Sequence, residues 1–171
     1  MKNGIATIVI GLAAALGVTT TGALAASEAE MVARGQYLVT IGNCTDCHTD
    51  GFLLGAPNPD LYLAGADNGI FIPGLGVMYP PNLTPDMETG LGSWSAADIV
   101  RALKEGVRPD GSALRPPMPV VNTSVLTDED AMAVATFLKS MAPVSHATQA
   151  NPVPPEEAGG PYMIFVFPGQ E

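Results

Sequence analysis

Cysteine and histidine are scarce in this chain, with two of each in 171 residues. Both cysteines fall in one five-residue stretch, and the histidines, His48 and His146, lie about a hundred positions apart, so a four-ligand zinc site is not expected. Basic residues are few as well: seven Lys and Arg stand against seventeen Asp and Glu, a net charge of -10. A phosphate backbone would be repelled by such a surface, which excludes nucleic acid as a partner. Long apolar runs are also missing. The stretch from Ile5 to Val18 is short for a membrane span and rich in Ala, Gly and Thr, and the apolar run from Tyr162 to Phe167 is shorter still.

What is present is Cys44-Thr45-Asp46-Cys47-His48. Two thiols three positions apart, followed at once by an imidazole, share one turn of chain. This is the arrangement that covalent attachment of a c-type haem requires: the thiols add to the two porphyrin vinyl groups, and the imidazole becomes an axial iron ligand. A redox dithiol or a structural disulfide is the alternative. A thioredoxin-like motif would follow a strand in a βαβ unit, whereas this one follows a helical pattern and leads into a Gly/Pro-rich stretch.

Residues 1–25 read as an export signal, with basic Lys2, the apolar run and the small residues Ala23-Leu24-Ala25 at a cleavage site. Retention as a membrane anchor is the competing reading, so membrane association is expected only through an uncleaved N-terminus or a partner. Covalent haem attachment on the exported side of a bacterial membrane agrees with a periplasmic location. All the acids and six of the seven basic residues follow residue 25, leaving the mature chain at -11. A field of that sign favours partners with basic docking faces, mainly through association rate.

The first helix is predicted over about Glu28 to Ile41, with Val32, Tyr37, Leu38 and Ile41 on its apolar face and Gly35 allowing close approach of another helix. Residues 49–92 read as loop and tight turns, yet Phe52 to Leu54, Leu61 to Leu63 and Ile70 to Ile72 are too apolar to stay in water. Ser95 with Asp98 starts a second helix that Gly106 ends, and Thr127-Asp128-Glu129-Asp130 starts a third. Met132, Ala135, Phe137, Leu138 and Met141 mark the inward side of this third helix, until Pro143 stops it. Residues 146–171 form a Pro-rich tail whose apolar end is expected either as a strand laid over the domain or as a docking peptide.

A second axial ligand would come from Met78, Met87, Met118, Met132, Met141, Met163 or His146. Met118 is preferred, because Pro117 and Pro119 fix the backbone on both sides and present the thioether from a stiff loop. Met78 is the next candidate.

With these parts in order, the chain resembles the class I c-type cytochromes. It is most similar to the single-haem modules in cytochrome subunits of membrane-associated bacterial alcohol and aldehyde dehydrogenases. The resemblance spans roughly residues 30–145. It rests on Arg34 to Leu38, Asn82 to Asp86 with Thr89 to Trp94, Glu105 to Gly111, Pro117-Met118-Pro119, and Thr127 to Asp130 leading to Phe137 to Ser140.

The resemblance implies an all-α class I cytochrome c fold of few helices and long loops around one covalently bound haem c. Residues 1–25 would be the signal peptide, 26–145 the cytochrome domain and 146–171 the tail. First and last helices would cross near Gly35 and Phe137, and Met118 would be the sixth ligand. Trp94 would pack beside the porphyrin or reach a propionate, with a plain core role as the alternative. Arg101, Arg108 and Arg115 are propionate partners by charge or else solvated surface groups.

The implied function is single-electron transfer without substrate chemistry, from a periplasmic dehydrogenase to an oxidase or another cytochrome. A permanent subunit of a dehydrogenase complex and a haem peroxidase or gas-binding protein are the other readings. Three features depart from the pattern: related subunits usually carry three such modules, the stretch from Ala56 to Ile72 is long, and the tail has no recognised counterpart.

Overall fold

Ser27 opens the folded chain. Its hydroxyl accepts from the Glu30 amide while the Glu30 carboxylate accepts from the Ser27 amide, a reciprocal cap that starts helix α1, Glu28–Ile41. The computed structural model describes residues 26–166, 168 and 169; the expected export signal lies outside them.

The same local logic sets the later helices. Ser95 and Asp98 cap α3, Ala96–Glu105, which ends at Gly106 in the left-handed region at φ 69. Thr127 caps α5, Asp128–Ser140, by accepting from the Asp130 amide. Between these two lies the short α4, Val120–Thr123, tied to α3 by the Thr123 hydroxyl donating to the Leu103 carbonyl at 2.6 Å. The turn α2, Cys44–His48, follows α1 directly.

Helices α1 and α5 cross where Gly35 meets Ala133 and Phe137. A Cβ on Gly35 would run into the Ala133 carbonyl oxygen and the Phe137 Cβ, so the two backbones approach as only glycine allows. Arg34 spans the same crossing to Asp130 at 2.9 Å. Around it Val39, Leu63, Ile99, Val134, Ala135, Phe137 and Leu138 form the main apolar core.

The close approach redistributes two expected faces. On α5 the buried residues are Ala131, Ala133, Val134, Ala135, Phe137 and Leu138, while Met132 is 37% exposed. The residues of α5 that meet Gly35 are Ala133 and Phe137, four apart on one face, and Met132 falls to the side of that face. On α1 the buried residues are Gly35 and Val39, with Val32 and Leu38 partly buried against the core. Tyr37 and Ile41 instead lie more than half exposed, the Tyr37 ring beneath the Arg34 guanidinium at 5.9 Å.

The long loop contains a small sheet besides the expected turns. Strands β1, Gly69–Ile72, and β2, Gly76–Met78, form a hairpin with Ile70 opposite Met78. Its turn passes through Gly74 at φ 79. The tail returns to this hairpin: β3, Tyr162–Met163, pairs parallel with β1, giving the order β2-β1-β3. The tail is therefore laid over the loop region, while Ile164, Phe165 and Val166 beyond it remain exposed.

Candidate functional site

Gly42 ends α1 and Asn43 follows at φ 55, turning the chain so that Cys44 begins a new helical turn. Cys44 and Cys47, at i and i+3, share one face of α2, and both are free thiols. Burial raises the pKa of each, because the thiolate is the form that loses solvation. Cys44 also packs against the main core cluster, as Trp94, Tyr62 and Leu83 do.

His48 closes the turn and is buried. Its Nδ1 lies 2.7 Å from the Pro81 carbonyl oxygen, which can only accept, so the proton sits on Nδ1 and the Nε2 lone pair is left as a donor to a metal. Burial lowers the His48 pKa and outweighs the opposing effect of the Pro81 bond, so the ring is neutral, as an iron ligand must be. The His48 carbonyl accepts from Gly65, and the neighbouring Thr49 hydroxyl accepts from the Leu63 amide at 3.0 Å. These bonds join the motif to the loop.

The segment that supplies Pro81 is itself held. Asn82 donates to Thr89 and to the Val144 carbonyl, and its Oδ1 accepts from both the amide and the hydroxyl of Thr84. Asn82 and Thr84 are buried polar residues, and this network satisfies them.

Met118 is partly buried between α3 and α4. Its amide donates to the Arg115 carbonyl and its own carbonyl accepts from Val120 at 2.9 Å. Met78 is buried in β2, Met87 is exposed, and Met163 lies in β3. His146 has both ring nitrogens engaged, Nδ1 with the Ala64 carbonyl at 2.8 Å and Nε2 with Asp67 at 3.3 Å. Among the arginines, Arg101 pairs with Glu105 on the surface of α3. Arg108 and Arg115 instead line one open cavity of about 540 Å³ with Asp110, Ser112, Ala113 and Asn151. One wall is thus the Met118 loop, and the other is a tail residue bonded to Tyr79, two positions before Pro81. Two guanidinium groups in such a cavity suit a dicarboxylate.

The donor set fits a c-type haem: paired free thiols and a neutral imidazole whose Nδ1 is already engaged, leaving Nε2 for a metal. Sequence reasoning missed Pro81, Tyr79 and Asn151. The only signal for Pro81 is the Tyr79-Pro80-Pro81-Asn82 stretch, whose stiffness suits a fixed carbonyl.

Comparison with known proteins agrees with this geometry. The profile of the Cytochrome c family matches residues 32–142. The chain is 34% identical over 150 residues to the gluconate 2-dehydrogenase cytochrome c subunit of Pantoea cypripedii, covering 84% of this chain and 31% of that protein. It is 35% identical over 144 residues to the cytochrome c subunit of the quinone alcohol dehydrogenase of Gluconobacter oxydans, covering 81% and 28%. With the fructose dehydrogenase cytochrome subunit of Gluconobacter japonicus it shares 31% identity over 144 residues, covering 84% and 26%. The chain therefore spans about a third or less of the length of these relatives.

Proposed function

Because this chain belongs to the cytochrome c family, we propose that it is a periplasmic carrier of single electrons, reduced by a dehydrogenase and oxidised by an oxidase or another cytochrome. The observation that carries this reading is the 2.7 Å contact between His48 Nδ1 and the Pro81 carbonyl, which fixes the tautomer and ring orientation that iron ligation requires. Cys44 and Cys47 hold the porphyrin covalently. When bound, haem supplies one-electron chemistry at iron, cycling between ferrous and ferric states. His48, through Nε2, and Met118, presented from its proline-flanked loop, would hold the iron. Trp94, which packs against the same core cluster as Cys44, would lie at the porphyrin edge. Arg108 and Arg115 take the propionates. The acidic surface steers partners whose docking faces are basic.

Carbon monoxide addition to the reduced, haem-loaded protein at neutral pH tests the reading. No binding is expected of a His48/Met118 pair, whereas rapid, complete binding would indicate an open sixth position and a gas-binding or peroxidase role. A second reading, a permanent subunit of a dehydrogenase complex, draws on the exposed Ile164, Phe165 and Val166 at the end of the tail and on the relatives that are named as such subunits. Removing residues 164–171 would release a co-purifying dehydrogenase on this reading and change nothing for a free carrier.

A further inference from the structure

The tail and the residues that lead into it are bonded to the segment that orients His48, at points on both sides of Pro81. Before it, Val153 and Val77 exchange both amide-to-carbonyl bonds, at 2.8 and 3.0 Å. The Asn151 side chain clasps both polar groups of the Tyr79 backbone: its Oδ1 accepts from the Tyr79 amide at 2.6 Å, and its Nδ2 donates to the Tyr79 carbonyl. The Tyr79 hydroxyl donates to the Gly160 carbonyl at 3.1 Å. After Pro81, the Val144 carbonyl accepts from Asn82 at 2.7 Å, and the Val144 amide donates to the Thr84 hydroxyl at 3.1 Å. Tyr79, Asn82 and Thr84 are each no more than 2% exposed.

The two prolines explain why these flanking bonds matter. Pro80 and Pro81 have no N–H, so neither can be anchored through a donor of its own, and their fixed φ angles make the dipeptide a stiff lever. The Pro80 carbonyl accepts from the Ala66 amide at 3.1 Å, and the placement of the Pro81 carbonyl depends further on where its neighbours Tyr79 and Asn82 are held, the first by Asn151 and the second in part by Val144.

We propose that residues 144–163 form a positioning strap for the axial histidine, in which Asn151 clasps Tyr79 and, through the Pro80-Pro81 lever, sets the hydrogen bond from His48 Nδ1 to Pro81. This rests on the reading of His48 as the haem ligand. A shorter, better aligned bond at Nδ1 raises the basicity of the imidazole and stabilises ferric iron. Loosening the strap therefore shifts the couple toward the ferrous form and lets the ring rotate.

The test uses the full-length, haem-loaded protein and its Asn151→Ala variant. The ferrous-to-ferric ratio is measured at a fixed ambient potential, and the hyperfine-shifted haem methyl resonances of the ferric form report ring orientation. Asn151→Ala is expected to raise the ratio about threefold, equivalent to about 28 mV at 59 mV per decade, and to rearrange the methyl pattern. Asn151→Asp keeps the acceptor toward the Tyr79 amide and should fall between the two. A haem-loaded Asn151→Ala variant with unchanged ratio and methyl pattern overturns the strap. If that variant does not mature, Tyr79→Phe, which removes only the hydroxyl bonds to Gly160, is measured in its place and judged by the same criterion. A wild-type protein that carries no covalent haem would overturn the proposed function itself, a result distinguishable from either of these.

Discussion

The Lys139 ammonium, on the last turn of α5, donates to the carbonyl oxygen of Trp94 at 2.9 Å, and also to those of Leu91 and Gly92. One side chain thus satisfies three acceptors of the turn that leads into α3 and holds Trp94 against the core. Hydrogen bonds from a charged donor contribute about 1.5–3 kcal/mol when buried, and partial exposure reduces this. Lys139→Met keeps the aliphatic stem and loses all three bonds. It is expected to lower unfolding free energy by about 1–2 kcal/mol, read by urea denaturation followed through the emission of Trp94, the single tryptophan of the chain. No change in midpoint would mean that water replaces the ammonium without cost.

Gly35 permits the α1–α5 crossing, because a Cβ there meets backbone that cannot move aside. Gly35→Ala should cost about 3 kcal/mol or more, at or beyond the upper end of ordinary overpacking, since both helices would have to separate. Gly55→Ala provides the contrast. Nothing lies within 4 Å of its added Cβ, and only the left-handed φ of 74 opposes it, at about 1–2 kcal/mol. Thermal unfolding of the two variants should rank them in that order.

Acid should weaken the fold through its caps and helix pairs. The Asp98 pKa is lowered by the side-chain and backbone bonds with Ser95, that of Asp130 by its bond with Arg34, and that of Glu30 by the Ser27 bonds. A carboxylate whose pKa is lower folded than unfolded contributes stability above its unfolded value, near 3.8 for Asp, and loses that contribution as pH falls through the folded value. Stability should therefore decline below about pH 4. Asp98→Asn should destabilise the protein at pH 7 and approach wild type in strong acid. A difference that stayed constant with pH would remove Asp98 from the account.

Met118→Ala is expected to abolish the sulfur-to-iron charge-transfer band and to lower the reduction potential, since a neutral thioether favours the ferrous state. Carbon monoxide should then bind the reduced variant. An unchanged spectrum would sink the assignment of Met118 and return attention to Met78.

The helix starts were legible because their signals are local: the acids in the first turn of α1, Ser95 with Asp98, and Thr127 with the acids after it each lie within one turn of chain, though the Ser27 cap itself went unread. The haem motif was legible for the same reason, its three reactive groups lying within five residues. The Pro81 carbonyl was not, since every residue carries such an acceptor and only the fold selects one. Asn151 joins a residue 72 positions away, a pairing that no local pattern encodes. The hairpin of β1 and β2 went unread because its strands are only three and four residues long and Ile70-Phe71-Ile72 shows no alternation. Met132 was placed inward by periodicity, whereas α5 turns Ala133 and Phe137 toward Gly35 and leaves Met132 exposed.

The distances along the chain between the strap and the histidine loop, 62 residues from Asn82 to Val144 and 81 from Tyr79 to Gly160, set an order of events. Contacts this far apart form late, because the intervening chain must be closed first. The cysteines and His48 precede by about a hundred residues the segment that completes the hold on Pro81, so the local turn forms before the long-range contacts do. Maturation would thus have a window in which thiols and imidazole are already on one turn while the carbonyl that orients the ring is still unsecured. Haem would enter a yielding site, and the arrival of residues 144–163 would make it a rigid one.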